Sequence, residues 1–243
     1  TDFEASFLRP LCKNKNSLTF VKRQEIENCK NESFYSLNSE HGFFCKKNQL
    51  KVHVDSNIKY EVLNSKISDL DLSLKLFTHP MGLYLFKEKS YVLHSSAINI
   101  NGKAFIFMGP SGSGKSSIVA SLINYGELIT EDISKIEFSG DDGYVYPSLP
   151  VIKLDSKIFD HHKFETLKEF NLAGDIGKRK GYVVKNFDHN NSSIKIHGCF
   201  ILDNEKSKVI EKVGSDDAFR YLMFNSFGAI PKNQCVKSEN MLL

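Results

Sequence analysis

Apolar and polar residues alternate in two short stretches early in the chain, Leu50–Val54 and Ile58–Leu63. A period of two is typical of strands that bury one face, and such strands are usually antiparallel. We therefore predict antiparallel strands within residues 1–88, a polar region rich in Asn, Lys and Ser. This β-rich region is a candidate for recognising a substrate or partner.

The stretch Ile67–Phe77 has leucines at spacings that fit both a strand and a helix. Ser68 and Asp69 are residue types that cap the start of a helix, and Pro80 is one that ends a helix. The pattern therefore favours a helix that leads into the next part of the chain.

A firmer pattern begins at Tyr91. The mostly apolar stretch Tyr91–Ile100 predicts a strand, and Asn101-Gly102 is the preferred sequence of a two-residue hairpin turn. Ala104–Met108 is then the partner strand. We expect a helix over Ser116–Tyr125, ended by Gly126 in the left-handed conformation.

Short strands and turns fill most of the remaining chain. A second hairpin is expected between Gly181–Phe187 and Ile194–Leu202, followed by a helix over Ser215–Phe224 with Ser215 as its N-cap. Gly140-Asp141-Asp142-Gly143 has the composition of a hairpin turn. The other predicted strands are Glu127–Asp132, Lys135–Phe138, Tyr144–Pro147 and Val151–Leu154.

The strand at Ala104–Met108 runs directly into a phosphate-binding loop motif, because Gly109–Ser116 matches G-x-x-x-x-G-K-[ST] between a strand and a helix. Glycines let the backbone N–H groups point inward, so that the loop and the helix N-terminus form a nest for anions. Lys115 would place a positive charge at the β- and γ-phosphates, and Ser116 would offer a hydroxyl oxygen to Mg²⁺. The predicted cofactors are therefore ATP, or another nucleoside triphosphate, and Mg²⁺. The residues expected to bind the nucleotide are Gly109, Pro110, Ser111, Gly112, Ser113, Gly114, Lys115, Ser116 and Ser117.

These elements predict an α/β to α+β fold. Its larger part, residues 89–243, would be a P-loop domain with more β-hairpins than an alternating βαβ arrangement has. The smaller β-rich region 1–88 would precede it.

Composition limits the classes of partner. The chain has 243 residues, 41% of them hydrophobic and 25% charged, as in a globular protein with one large or two small domains. Lys and Arg number 32 against 29 Asp and Glu, a net charge of +3, and no dense basic block occurs. We therefore expect no nucleic-acid partner.

Cysteine usage and hydropathy bear on the compartment. The 5 cysteines are widely spaced and form no C-x-x-C pair, which favours free thiols over a disulfide framework or a zinc site. No apolar run of about 18 residues is present, and the first residues are acidic where a signal peptide is basic. We expect a cytoplasmic protein with no membrane partner.

Two adjacent acids, Glu131 and Asp132, end the strand that follows the P-loop helix. The carboxyl end of a strand is where open sheets meet ligands. Two neighbouring residues of a strand point to opposite faces unless a turn bends them together. One acid would hold Mg²⁺ and the other would meet an acceptor hydroxyl. The alternative is a solvated acidic turn.

Three further features have two interpretations each. His94, within an apolar strand, is either a buried core histidine or a site residue. Lys178-Arg179-Lys180 is either a phosphate clamp or a solvated basic turn. Asp141 and Asp142 are better explained by the hairpin turn than by chemistry.

Three segments, in their order along the chain, resemble the catalytic domain of HPr kinase/phosphorylase and its relatives: Leu93–Ile98, Gly109–Ser117 and Gly126–Asp132. Those relatives include small stand-alone members associated with peptide-modifying gene clusters. The resemblance covers about residues 80–230. It implies that Glu131 replaces the family's first aspartate, the general base, and that Asp132 matches the second, which helps hold the metal. It also implies that His94 is the active-site histidine near the phosphates. The family's usual Asp-Asp is Glu-Asp here.

Together these features predict a kinase that transfers the γ-phosphoryl group of ATP to a hydroxyl, most simply a serine, of a peptide, protein or small molecule. The expected catalytic residues are Glu131, Asp132, His94 and Lys115, and the expected metal ligands are Ser116 and Asp132. An alternative is a nucleotide-controlled binding module with weak ATPase activity. A third is ATP hydrolysis that drives motion.

Overall fold

A computed structural model of the chain describes residues 20–22, 34–37, 42–46, 50–63, 69–155, 157, 167–168, 179–184, 187, 192–203 and 210–227. The first nine strands are β1 (Phe20–Lys22), β2 (Phe34–Leu37), β3 (Gly42–Lys46), β4 (Leu50–Val54), β5 (Ile58–Val62), β6 (Tyr91–Leu93), β7 (Ser95–Ile100), β8 (Lys103–Met108) and β9 (Glu127–Thr130). The next six are β10 (Ser134–Ser139), β11 (Asp142–Val145), β12 (Val151–Asp155), β13 (Leu167–Lys168), β14 (Arg179–Val184) and β15 (Ile194–Ile201). The helices are α1 (Asp69–Leu76), α2 (His79–Lys87), α3 (Lys115–Leu122) and α4 (Ser215–Asn225).

The described strands form a five-stranded sheet, a seven-stranded sheet and a three-stranded sheet. The first has the order β1-β5-β4-β3-β2, and the second the order β6-β10-β11-β15-β8-β7-β9. Together with the helices they make a mixed α/β fold built around a P-loop and preceded by a smaller β-rich region. The predicted fold class is therefore confirmed.

The alternating stretches of the N-terminal region are strands, as predicted. β4 and β5 are antiparallel, with Leu50 opposite Val62 and Val54 opposite Ile58. Leu50, Val52 and Val54 are fully buried while the residues between them are not, which is the period of two seen in the sequence.

The helix predicted over residues 67–77 is α1, but Pro80 does not end it. α1 stops at Leu76, and Pro80 instead lies in the first turn of α2, where the missing N–H costs no hydrogen bond. The apolar run Met81–Leu85 of α2 is buried. Sequence reasoning missed α2 because the proline was interpreted only as a stop.

The predicted strand Tyr91–Ile100 is divided at His94 into β6 and β7. β6 pairs with β10, whereas β7 pairs with β8 and β9. The His94 N–H donates to the carbonyl of Asn225 at 2.7 Å instead of to a neighbouring strand. A contact 131 positions away in sequence ends the strand, so local pattern could not reveal the break.

Both predicted tight turns are present. Asn101 and Gly102 have φ of +53° and +77°, the pair of positive values that a type I′ turn requires, and β8 follows as predicted. Gly140 has φ of +61° and joins β10 to β11, with Ser139 opposite Asp142. Asp142 forms an ion pair with Lys195, which agrees with a structural role for that acid.

The hairpin predicted between residues 181–187 and 194–202 is wrong. β14 pairs with β12 and β13 in the three-stranded sheet, whereas β15 lies between β8 and β11 in the large sheet. Tyr182 and Val184 of β14 are buried in a cluster with Val119 and Ala120 of α3. This long-range burial decides the pairing, and the turn-like residues between the two strands do not.

The P-loop helix is shorter than predicted, and Gly126 has a different role. α3 ends at Leu122, and Gly126 does not have a positive φ. A Cβ on Gly126 would lie 2.2 Å from the carbonyl oxygen of Asn99. Glycine is required here because β7 and the start of β9 approach closely.

The C-terminal helix α4 is confirmed, with Gly214 and not Ser215 in the N-cap position. Its body is exposed, and the residues that follow anchor it: the Phe227 N–H donates to the Val92 carbonyl at 2.9 Å, and the Phe227 ring is buried. Phe227 belongs to an apolar cluster that joins β4, β5 and α2 to Val92 and Ile133. The division into residues 1–88 and 89–243 stays a prediction.

We predict that Gly126→Ala lowers the free energy of unfolding by about 2–3 kcal/mol, because the new methyl group would overlap a backbone oxygen that cannot move without distorting β7. Urea denaturation measures this. Gly214→Ser is the control, since nothing lies within 4 Å of an added Cβ there and serine is a good N-cap. A loss in Gly126→Ala no larger than in the control would contradict the close approach.

Candidate phosphate and acceptor site

The glycine-rich loop between β8 and α3 has the backbone conformation of an anion-binding nest. Gly109, Gly112 and Gly114 have φ of +144°, +87° and +95°, values that disfavour any other residue. A Cβ on Gly109 would lie 2.4 Å from the carbonyl oxygen of Leu202, the residue that follows β15. The loop curl is therefore built into the chain and is held against the neighbouring strand.

Lys115 is buried at the centre of this loop, with 6% of its surface exposed. Its ammonium donates to the carbonyls of Gly109 at 2.8 Å and Pro110 at 3.0 Å. These loop carbonyls offset the cost of burying the charge. The ammonium is thereby held inside the curl where the motif predicts the β- and γ-phosphates.

Ser116 and Glu131 are in direct contact, whereas the sequence predicted that Ser116 would act together with Asp132. The Ser116 hydroxyl donates to Oε1 of Glu131 at 2.7 Å, and the backbone N–H of Lys153 donates to Oε2 at 2.8 Å. Glu131 is only 8% exposed. Burial and the neighbouring Asp132 charge together raise the pKa of Glu131 to about 8, against the opposing effects of Lys153 and Ser116.

A tight turn brings the two acids to one site. Asp132 has φ of +65°, and the Ile133 N–H donates to the Glu131 carbonyl at 2.8 Å, which is the pattern of a γ-turn with a positive central φ. This form is rare and strained, and the Thr130 hydroxyl, which donates to the Ile133 carbonyl, supports it. Because of the turn, the two side chains do not point to opposite faces as they would on a strand.

Asp132 has a different environment from Glu131. Its carboxylate forms an ion pair with the ammonium of Lys153, and its carbonyl accepts a hydrogen bond from Nδ1 of His94 at 3.0 Å. Burial opposes the charged form, but the positive charges of Lys153, His94 and His79 outweigh it and hold the pKa of Asp132 well below its usual range. Asp132 is therefore the charged member of the acid pair at neutral pH.

A cavity of about 450 Å³ opens between the loop and these side chains. Its lining residues are His79, His94, Ser111, Gly112, Gly114, Lys115, Ser116, Ser117, Asp132, Lys153 and Asp155. Most predicted site residues are therefore brought together. The carbonyls of Gly109 and Pro110 bind the Lys115 ammonium, the hydroxyl oxygen of Ser113 is buried, and Glu131 accepts a hydrogen bond from Ser116.

Sequence reasoning missed three of the residues that line the cavity: His79, Lys153 and Asp155. Lys153 and Asp155 lie two positions apart on β12, so they share one face of that strand, and this alternation was a detectable signal. His79 begins α2, which was not predicted. Of the basic stretch Lys178-Arg179-Lys180, Lys178 lies outside the described residues, whereas Arg179 and Lys180 begin strand β14 and are not in a turn.

Asn225, the last residue of α4, ties two parts of the site together. Its side-chain oxygen accepts a hydrogen bond from the Gly109 N–H at 3.3 Å, and its carbonyl accepts one from the His94 N–H at 2.7 Å. The start of the P-loop and the break beside His94 are thus fixed to the same residue, and no local pattern marks it.

The oxygen donors of the site fit Mg²⁺. Within the described residues no group of three or more His, Cys, Asp or Glu is arranged to hold a metal alone. Mg²⁺ does not need such a group, because it commonly takes one or two protein oxygens and completes its shell with phosphates and water. The Ser116 hydroxyl and the neighbouring acid pair supply oxygens of that kind.

Comparisons with known proteins find similarity to a curated protein and to solved structures. The chain is similar to the small ribosomal subunit biogenesis GTPase RsgA of Clostridium botulinum, with 26% identity over 175 residues. This covers 70% of the chain and 56% of the relative, so the chain spans about half the length of that protein. No family model matches the chain.

Among solved structures, the HPr(Ser) kinase/phosphatase from Coxiella burnetii matches part of the chain, with 12% identity and a TM-score of 0.31. The superposition covers 50% of the chain and 65% of that protein. The geometry of Gly109–Ser117 itself shows a P-loop of the nucleotide-binding type. Among the described helices, none is long and apolar enough to cross a membrane.

We predict that Glu131→Gln changes how stability depends on pH. Because the pKa of Glu131 rises from 4.5 to about 8 on folding, the folded protein binds more protons than the unfolded chain between these values, and its free energy of unfolding falls as the pH rises. Glutamine keeps a donor and an acceptor but cannot ionise. The wild type should lose about 3–4 kcal/mol relative to the variant between pH 5 and pH 8.

Urea denaturation at both pH values, in EDTA and without nucleotide, measures the difference. Glu88→Gln alters an exposed residue after α2 and should keep the wild-type dependence. Parallel curves for wild type and Glu131→Gln would show that Glu131 is not protonated on folding.

Proposed function

We propose that the protein is an ATP- and Mg²⁺-dependent kinase that transfers the γ-phosphoryl group to a hydroxyl, most simply a serine, of a peptide, protein or small molecule. The observation that carries the proposal is the different placement of the two acids. One carboxylate is engaged with the P-loop serine, and a second, charged carboxylate lines the cavity in front of the loop. Nucleotide binding alone would not need the second.

The nucleotide would lie with its phosphates in the curl of the loop. Backbone N–H groups and the N-terminus of α3 would hold the phosphate oxygens, and Lys115 would exchange its loop carbonyls for them. Ser116, oriented by Glu131, would be the protein ligand of Mg²⁺. The bound ion would neutralise negative charge on the β- and γ-phosphates.

The structural environments of the acids favour exchanging the roles that the family resemblance implies. Both carboxylate oxygens of Glu131 accept hydrogen bonds, from Ser116 and from the Lys153 backbone, and Glu131 lies beneath the cavity lining. Asp132 lines the cavity and is charged. We therefore propose that Asp132 accepts the proton of the acceptor hydroxyl and that Glu131 orients Ser116.

In the transfer step the acceptor hydroxyl would give its proton to the Asp132 carboxylate. The oxygen of the acceptor would form a bond to the γ-phosphorus. At the same time the bond from that phosphorus to the β–γ bridging oxygen would break, and ADP would leave. His94, whose Nδ1 is bonded to the Asp132 carbonyl, would orient that residue and add positive character near the transferring group.

We predict that Lys115→Ala lowers the rate of phosphoryl transfer from ATP by about 100-fold or more, because it removes the buried cation of the loop. The measurement is transfer of labelled γ-phosphate from ATP with Mg²⁺ to a degenerate serine peptide library and to free serine. Lys195→Ala, which removes an exposed cation of a surface pair, is the matched control. Transfer by Lys115→Ala at the wild-type rate would contradict the proposal.

A second candidate is a nucleoside triphosphatase that switches a partner surface, and the similarity to a protein named as a GTPase favours it. The same assay distinguishes the two when GTP is run beside ATP. Release of inorganic phosphate without labelled acceptor, together with a change in partner affinity between triphosphate and diphosphate, would favour the switch.

A further inference from the structure

Lys153 holds the acid pair through two chemically separate contacts. Its backbone N–H donates to Glu131, whereas its side-chain ammonium pairs with the carboxylate of Asp132. The first contact depends only on the path of β12, and the second only on the side chain. A substitution at position 153 can therefore remove the charge and leave the Glu131 contact in place.

Lys153 of β12 lines the same cavity as Lys115 and the other P-loop residues. Its side chain is 12% exposed, and that of Asp132 is 21% exposed. A charge pair this little exposed is screened far less by solvent than a surface pair. An anion that enters the cavity would therefore meet two lysines, Lys115 on the loop and Lys153 on β12.

Lys115 on the loop and Lys153 on β12 would have different positions relative to a bound triphosphate. Lys115 is enclosed by the loop that would carry the β-phosphate. Lys153 is beside Asp132, the carboxylate in front of the loop, where the last phosphate of the chain would face the acceptor. A lysine ammonium has three N–H donors and can bridge oxygens of two different groups.

On the basis of the proposed function, we propose that Lys153 is a second phosphate-binding cation that contacts the γ-phosphoryl group and bridges it to Asp132. This contact would distinguish a nucleoside triphosphate from a diphosphate. It would also keep the acceptor-side carboxylate and the transferring group together without repulsion, since the ammonium lies between two anions.

We predict that Lys153→Met weakens binding of the non-hydrolysable analogue β,γ-imido-ATP by about 10- to 100-fold, the effect of one charge-assisted hydrogen bond. ADP affinity should change less than about twofold, because ADP has no γ-phosphoryl group. Isothermal titration calorimetry measures both affinities, with Mg²⁺ and again in EDTA. Lys153→Arg should keep most of the preference for the analogue, and Lys195→Met should behave as wild type.

Equal weakening for the analogue and ADP, or no weakening of either, would overturn the role of Lys153. If Lys153→Met does not fold because Asp132 loses its partner, the double variant Lys153→Met/Asp132→Asn removes both charges and is compared with Asp132→Asn alone, which has lost only the repelling carboxylate. The double variant should have a smaller preference for the analogue over ADP than Asp132→Asn has. An equal preference in these two variants would also overturn the role of Lys153. A wild-type protein that binds neither nucleotide would instead contradict the proposed function, so the two failures are distinguishable.

Discussion

The arrangement of the site depends on the hydrogen bonds of one buried carboxyl group, that of Glu131. It joins three parts of the chain: the P-loop helix through the Ser116 hydroxyl, the turn after β9 through its own backbone, and β12 through the Lys153 N–H. A buried carboxyl group is costly unless its oxygens are hydrogen-bonded, and here each oxygen accepts one bond. The large sheet and the three-stranded sheet therefore meet the phosphate loop at one residue, which fixes where the cavity forms.

The strained turn at Asp132 explains how adjacent acids acquire different chemistry. On a regular strand the two side chains would lie on opposite faces, with no shared site. At the turn with the positive φ of Asp132, Glu131 contacts Ser116 of the P-loop helix and Asp132 lines the cavity. One member has a raised pKa and the other a lowered pKa. Neighbouring groups whose environments separate their pKa values in this way are suited to different tasks.

Local sequence patterns predicted those parts of the fold that local interactions determine. The alternation in β4 and β5, the Asn101-Gly102 turn and the P-loop helix all express periods or turn preferences within a few residues. The break at His94 and the separate sheets of β14 and β15 depend on contacts far away in sequence, so they were missed or mispredicted. The residues of the candidate site show the same distinction between local and long-range determinants. The loop and the acid pair were found as motifs, whereas Lys153, His79 and Asn225 join them only through tertiary packing.

The conformation of the P-loop is determined by contacts from other elements of the folded chain. Gly109 fits closely against the Leu202 carbonyl, and its N–H is bonded to Asn225, while Lys115 bonds the carbonyls at the start of the loop. Each contact comes from a different element, so the loop conformation is determined several times over. A site whose donors are oriented before the anion arrives loses little entropy on binding and needs little reorganisation during reaction. The glycines permit this conformation, and β15, α4 and the buried lysine select it from the many that glycine allows.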